Sequence, residues 1–426
     1  MTIKISVIGL GYVGLPLALA LSRHYSVLGF DLNEERINSL KNAKDMSAEI
    51  DPREIENSSL GFTCSIDDLS DSNLYIITVP TPIDSHNNPD LSMIRSATSM
   101  VATSLNKGDC VVYESTVFPG VTEDICAPIL EKISGLTYKK DFHLGYSPER
   151  LSPGKGGKTL EEVVKVVSAS CSDTLSMLSK IYKSVVPAGV YEADSIKVAE
   201  AAKVLENTQR DLNIALMNEL SKICHLIDID TKSVIDTAAS KWNFMKVYPG
   251  LVGGHCIGVD PYYLTHLALQ KNYAPEVILA GRRINNSMAK FVVDHCVKAL
   301  STANKSIHSC RVLVLGLSFK ENIQDIRNSK IPDLIDELSQ FGITPTIHDP
   351  LVSAKEAKSM YDIRLSPLDL DSKYDAIILA VPHKELVSRP LRKWLSFIDG
   401  KKIFIDITGF YKKDSVTFSS LYYWSL

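Results

Sequence analysis

Two groups of residues in this 426-residue chain have the types and spacing to do chemistry. The first is Gly253-Gly254-His255-Cys256-Ile257-Gly258-Val259-Asp260. Filler cysteines usually sit among apolar neighbours on regular elements. Cys256 instead lies among glycines, where backbone can approach closely, and the carboxylate of Asp260 follows four residues on. Such a thiol can attack a carbonyl carbon, but only as thiolate, from a free-thiol pKa near ~8.5. Residues adjacent in sequence need not face the same way, so His255 is read as loop structure. The second group is Lys203, Asn207 and Arg210, at i, i+4 and i+7 on one helical face. The stretch VAEAAKVLENTQRDLN surrounds them with small and apolar residues. A partly buried row is therefore expected, suited to a developing oxyanion and an anionic substrate.

A third pattern concerns a ligand. Gly9-Leu10-Gly11-Tyr12-Val13-Gly14 follows an apolar run at 3–8 and opens a helix expected at 13–22. In a dinucleotide site these glycines serve the tight turn, close backbone approach to a diphosphate, and packing of helix on strand. The exposed amides and the positive helix end would then hold that diphosphate. Asp31 closes a second strand (26–30), where a carboxylate accepts from the ribose hydroxyls and repels a 2′-phosphate. The spacing predicts NAD rather than NADP. Arg36 could welcome a phosphate, stack on adenine, or be a solvated helix residue.

The elements that must position these groups alternate. Further strands are expected at 74–79, 110–114, 142–146 and 163–167, with helices between, for example 90–106 and 121–133. That texture implies a mostly parallel sheet. From Asp194 to about Asp228 there is neither Gly nor Pro, which predicts one helix of about 30 residues, long enough to connect units or pair two copies. A loop at 240–263, a helix at 275–300 and a linker at 301–310 follow. Then strand candidates return at 311–315, 344–348, 375–380 and 402–406, with a helix at 330–341. The expected fold class is α/β. Two Rossmann-like parallel-sheet domains (1–193 and 301–426) are joined by a central helical domain (194–300). Ligands bind outside the carboxyl ends of parallel strands. Thr81, Ser115-Thr116, the turn 146–151 with Glu149, Arg150 and Leu151, Phe319-Lys320 and Arg327 all fall there.

Composition excludes other classes. Apolar residues are 45% and charged residues 23%, and 46 basic side chains against 50 acidic ones leave a net charge of −4, which argues against nucleic acid as partner. No apolar run reaches the ~18 residues of a membrane span. Gly9, Gly11, Gly14 and Pro16 interrupt the outline of a signal peptide. Eight cysteines without CxxC pairs suggest reduced thiols in a cytoplasmic protein, neither a zinc site nor a disulfide framework.

Taken together, GLGYVGLPLA, VPTP, YEST, EAAK with Asn207, GGHCIGVDP and FKENIQDIR resemble the UDP-glucose/GDP-mannose dehydrogenase family over essentially the whole chain. YSPERLSPG, NTQRDLNIAL and GGHCIGVDPYYL look like the branch acting on UDP-N-acetylhexosamines, as in bacterial capsule and O-antigen synthesis. The resemblance implies a four-electron oxidation of a sugar 6-hydroxymethyl group to a carboxylate, using two NAD, with UDP-GlcNAc favoured over UDP-GalNAc. It implies Cys256 as nucleophile and Lys203 as acid/base. Asn207 would share the oxyanion, while Asp260, Glu149 and Thr116 manage protons or water. Arg150, Leu151, Lys203, Asn207, Arg210, Gly253, Phe319 and Lys320 would meet the UDP-sugar. Gly9, Gly11, Tyr12, Val13, Gly14, Asp31, Arg36, Thr81, Thr116 and Arg327 would meet NAD. The long helix, lying between two α/β units with more apolar surface than one small domain can cover, is itself expected to form the core of a homodimer. Val259 stands where the UDP-glucose branch has a lysine, and 240–246 reads SKWNFMK where family members often place Arg or His. Three alternatives are a UDP-glucose 6-dehydrogenase, a two-electron dehydrogenase with a structural Cys256, and a non-catalytic nucleotide-sugar sensor.

Overall fold

The computed structural model describes residues 2–45, 50–150, 159–369 and 371–426, which divide into two compact units. The first comprises Met1–Glu206 with Tyr262–Tyr273, and the second Asn207–Pro261 with Ala274–Leu426.

Eight strands build the first unit: β1 (Lys4–Ile8), β2 (Ser26–Phe30), β3 (Gly61–Thr63), β4 (Leu74–Ile77), β5 (Cys110–Tyr113), β6 (His143–Tyr146), β7 (Lys165–Ala169) and β8 (Val190–Glu192). Their order is β3-β2-β1-β4-β5-β6-β7-β8. The central strands β4 and β5 are buried throughout, as near-continuous apolar runs demand when helices cover both faces. Ile8 pairs with Phe30 on one side and Ile77 on the other, so the ends of β1, β2 and β4 are level. β7 alone runs antiparallel to its neighbour β6.

The second unit holds a smaller all-parallel sheet, β10-β9-β11-β12-β13, from β9 (Val312–Leu315), β10 (Thr346–His348), β11 (Ala376–Leu379), β12 (Lys402–Asp406) and β13 (Leu421–Trp424). The fold class is as expected, α/β with one mostly parallel sheet, one all-parallel sheet and one long helix.

That helix runs from Ile196 to Leu226, 31 residues, so it belongs in part to each unit. In the second unit the buried Asp211 carboxylate pairs with Arg282 at 2.6 Å and accepts from Asn285 at 2.7 Å. Asn218, a further two turns along, exchanges hydrogen bonds with Gly250, gripping the start of the glycine-rich loop.

Two helices differ from expectation. The stretch 275–300 is two helices, Glu276–Asn286 and Met288–Thr302. They part at Ser287, whose hydroxyl donates to the Ile284 carbonyl (2.7 Å) and accepts from Lys222 (2.6 Å), competing with the backbone ladder. The helix at 121–133 opens as a π turn, Val121–Cys126. There Glu200 accepts the N–H groups of Gly120 (2.6 Å) and Thr122 (3.0 Å) at the entry, and Gly120 has φ +103°. Burial pushes the Glu200 carboxyl up to about 7. Among the described residues no helix is long and apolar enough to cross a membrane.

Candidate active site

The glycine turn after β1 has the geometry of a diphosphate cradle. Gly9 takes φ +96°, a conformation that side chains resist. A Cβ on Gly14 would sit 1.9 Å from the Gly9 carbonyl oxygen, so only glycine lets the helix Gly14–Ser22 begin here. A Cβ on Gly11 would meet nothing within 4 Å. Packed at the first and third glycine and open at the second, the turn fits a pyrophosphate lying against backbone. Tyr12 and Val13 lie in the same turn.

Asp31, at the end of β2, accepts from Leu10 N (2.9 Å) and Asn33 N (2.9 Å), one bond per oxygen. Each carboxylate oxygen keeps capacity for a ribose hydroxyl. Arg36 is neither solvated nor open to a phosphate. Its guanidinium donates twice to the Leu10 carbonyl (3.1 and 2.9 Å) and pairs with Asp45 at 2.6 Å, bracing the glycine turn. Asp31→Ala is expected to erode the preference for NAD over NADP. Steady-state kinetics with both cofactors measures this, and an unchanged ratio of kcat/KM values would place Asp31 away from the ribose.

Thr81 follows β4, and its hydroxyl donates to the Thr116 carbonyl at 2.6 Å, tying together the loops after β4 and β5. The Tyr263 hydroxyl donates to the Thr81 carbonyl. In the turn after β6, Glu149 is buried and its carboxylate lies 3.9 Å from the ammonium of Lys203, also buried. Arg150 pairs with Glu206 and donates to the Val164 carbonyl at 3.0 Å. Leu151 lies outside the described residues.

In the second unit the Cys256 loop closes on itself. The Cys256 carbonyl accepts from Val259 N (3.1 Å) and Asp260 N (2.8 Å), which starts the helix Asp260–Gln270. Asp260 is buried and accepts from the Asn207 side-chain amide at 2.6 Å. Cys256 itself is half-buried and reduced. Arg210 departs from the expected buried row: it is exposed, whereas Lys203 and Asn207 are buried.

Gly253 and Gly254 pack where no side chain fits. A Cβ would meet the Asn328 carbonyl oxygen at 2.7 Å and the Phe319 ring at 2.8 Å, respectively. His255, read from sequence as loop structure, pairs with Asp325 at 2.9 Å and packs edge-on against Phe319. Burial opposes the Asp325 charge, but hydrogen bonds from His255 and Arg327 hold its carboxyl well below the usual range. Arg327 is thus committed to Asp325 (2.6 Å) while remaining exposed.

The loop bearing Phe319 and the exposed Lys320 is clamped from beneath. Asp349 accepts from Leu317 N (2.6 Å) and Ser318 N (3.2 Å), and His383 Nδ1 accepts from Asn322 N (2.9 Å). His383 Nε2 therefore carries the proton, facing Asp349 at 3.1 Å. Despite burial, these bonds bring the Asp349 carboxyl down to about 2. Neither Asp349 nor His383 belongs to a motif, and only a contact 34 residues long joins them.

The NAD binding domain of the UDP-glucose/GDP-mannose dehydrogenase family matches residues 3–186, its central domain 197–287, and its UDP binding domain 313–413. The chain belongs to this family. It is an NAD-dependent dehydrogenase. UDP-N-acetyl-D-glucosamine 6-dehydrogenase of Pseudomonas aeruginosa is 49% identical over 384 residues, covering 90% of this chain and 91% of that one. Protein CapL of Staphylococcus aureus is 46% identical over 416 residues, covering 98% of each. The solved structure of UDP-D-ManNAc dehydrogenase from Pyrococcus horikoshii superposes with TM-score 0.87 at 29% identity, covering 99% of both chains. In this dehydrogenase the glycine turn and Asp31 lie in the segment matched as NAD-binding, and the clamped Phe319–Lys320 loop in the segment matched as UDP-binding.

Proposed function

We propose that the chain oxidises the 6-hydroxymethyl group of a UDP-N-acetylhexosamine, UDP-GlcNAc before UDP-GalNAc, to the uronate, as a cytoplasmic precursor of surface polysaccharide. The Cys256–Asp260 loop carries this reading: a half-buried thiol in a glycine-rich turn whose carboxylate is held by Asn207. NAD, held by the turn 9–14, Asp31, Thr81, Thr116 and Arg327 and braced by Arg36, supplies a hydride acceptor for each of the two oxidations. Between them, Cys256 thiolate adds to the aldehyde carbon as a thiohemiacetal. After the second oxidation that carbon is a thioester, which water opens to release carboxylate and thiolate. Lys203 protonates or deprotonates the sugar oxygen and, with Asn207, stabilises its negative charge. Glu149, Asp260 and Thr116 manage the water and its proton. Arg150, Leu151, Arg210, Gly253, Phe319 and Lys320 bind the UDP-sugar. The functional division is 1–193, 194–300 and 301–426.

Relatives named UDP-N-acetyl-D-glucosamine 6-dehydrogenase, 49% identical over 90% of this chain, support the choice of sugar. So does Val259 in place of lysine. A pocket that pairs a 2-acetamido group leaves polar atoms unsatisfied when a bare hydroxyl enters, at about 1–3 kcal/mol each. UDP-GlcNAc is expected to exceed UDP-glucose by roughly tenfold or more in kcat/KM. A panel of UDP-sugars, scored by NADH release and product mass, measures it; comparable values for all would remove the N-acetylhexosamine assignment.

The same reading pairs two copies along the helix Ile196–Leu226. Val198, Leu205, Leu216 and Ile223 are spaced seven, eleven and seven residues apart, hence on one side. They are 49%, 60%, 59% and 48% exposed, a stripe that a partner helix would cover. Light scattering is expected to give a dimer mass, and a monomer at micromolar concentration would refute the pairing.

A further inference from the structure

Lys165 is a charged residue at the first position of a strand interior to its sheet, and its side chain is 4% exposed. Water cannot solvate the ammonium there, so protein groups must. It donates to Glu114 at 2.5 Å, itself 1% exposed, and Glu114 accepts the Tyr182 hydroxyl with its other oxygen at 2.5 Å. The third contact is the informative one. Lys165 also donates to the Pro148 carbonyl at 3.2 Å and reaches the Ser147 carbonyl at 3.5 Å.

Pro148 has no N–H, so its carbonyl is the polar handle on the peptide that leads into Glu149. Fixing that carbonyl fixes where the Glu149 backbone starts. The turn is pinned on both sides: Ser147 Oγ donates to the Val166 carbonyl at 2.7 Å, and Arg150 donates to the Val164 carbonyl. Every one of these anchors is on or next to β7, whose antiparallel pairing with β6 brings Lys165 beneath the turn. Glu114, Lys165, Glu149 and Arg150 line one small cavity together with Val13, just before the helix Gly14–Ser22, and Leu17 within it.

We infer that Lys165, held by Glu114, is a positioning residue that sets the Glu149 carboxylate against Lys203. The inference rests on the reading of Glu149 as a proton-handling group. Misplacing a reacting group by ~1 Å can cost up to about 100-fold in rate. A lone Lys165 substitution would strand the Glu114 charge, whereas replacing both partners by groups of like volume is often neutral to stability. The test is therefore the double variant Glu114→Gln/Lys165→Met in the full chain, with Lys165→Arg as a milder second variant that keeps the charge and displaces the donors.

For the double variant, kcat is expected to fall about tenfold or more, with KM for both substrates within about threefold and the melting midpoint retained. In a Glu149→Gln background the same pair is expected to change kcat by less than about twofold, because it acts through the group already removed. Lys165→Arg is expected to lose kcat in the same direction while folding normally. Unchanged kcat in either variant, or losses that multiply with Glu149→Gln, would overturn the inference. Glu149→Gln alone reports on the underlying reading. If it costs kcat while the paired substitution does not, Lys165 is structural only; if it is silent, Glu149 handles no proton and both statements fall.

Discussion

Cys256→Ala is expected to lose steady-state formation of the uronate by about a thousandfold or more, since no other group replaces an attacking sulfur. Its loop makes the substitution mild for the fold. Cys256 is half-buried, and the bonds that close the turn come from its backbone carbonyl, which alanine keeps. A lost activity with a retained melting midpoint therefore reports on chemistry. Cys256→Ser keeps the shape but offers a hydroxyl, a far poorer nucleophile at neutral pH, and any ester it forms should persist long enough for intact-mass detection. The wild type is expected to release two NADH per sugar. Two NADH per sugar from the alanine variant at near-normal rate would make the thiol structural and end the covalent scheme. One per sugar from the wild type would favour a two-electron dehydrogenase.

Lys203→Ala is expected to lower kcat by about 10²–10⁴-fold, the range that a positioned acid/base supplies. The substitution has a second cost. Lys203 and Glu149 are both buried, 3.9 Å apart, and removing the ammonium leaves a carboxylate with less to balance it. Breaking such a pair typically costs about 3–5 kcal/mol of stability. Lys203→Arg separates the two effects, because guanidinium keeps the charge but does not give up its proton. The expected pattern is stability recovered by arginine and kcat not recovered. If arginine restores both, Lys203 acts through charge alone; if alanine leaves kcat within threefold, the acid/base assignment fails.

Features that depend on neighbours in sequence are legible in the sequence alone. The glycine turn is one, since φ +96° at Gly9 and the contact of Gly14 on the Gly9 carbonyl are consequences of a strand turning straight into a helix. The long helix is another, because the lack of Gly and Pro acts residue by residue. Illegible features depend on pairings across the chain. Lys165 meets Glu114 across 51 residues, and nothing local marks either as buried. Strands β3 and β8 span three residues each, too short for a period to register. Arg210 keeps the helical face that its spacing predicts, yet periodicity says which way a side chain points and not how far solvent reaches. His255 reads as loop structure for a like reason: its partner Asp325 lies 70 residues away.

The eight cysteines form a built-in gauge. Five are buried, and burial pushes the thiols of Cys126 and Cys296 up to about 11 and about 12. A thiol-reactive dye near neutral pH thus meets two barriers at these sites, packing and a scarcity of thiolate. Cys64 is exposed, and Cys171 and Cys256 are half-buried. The native chain should present those three to the dye and conceal the others, with the labelled number rising to eight as the chain opens. Unfolding could thus be followed by counting labelled sulfur, with no cysteine introduced, and nucleotide-sugar occupancy by the withdrawal of a single site from that count.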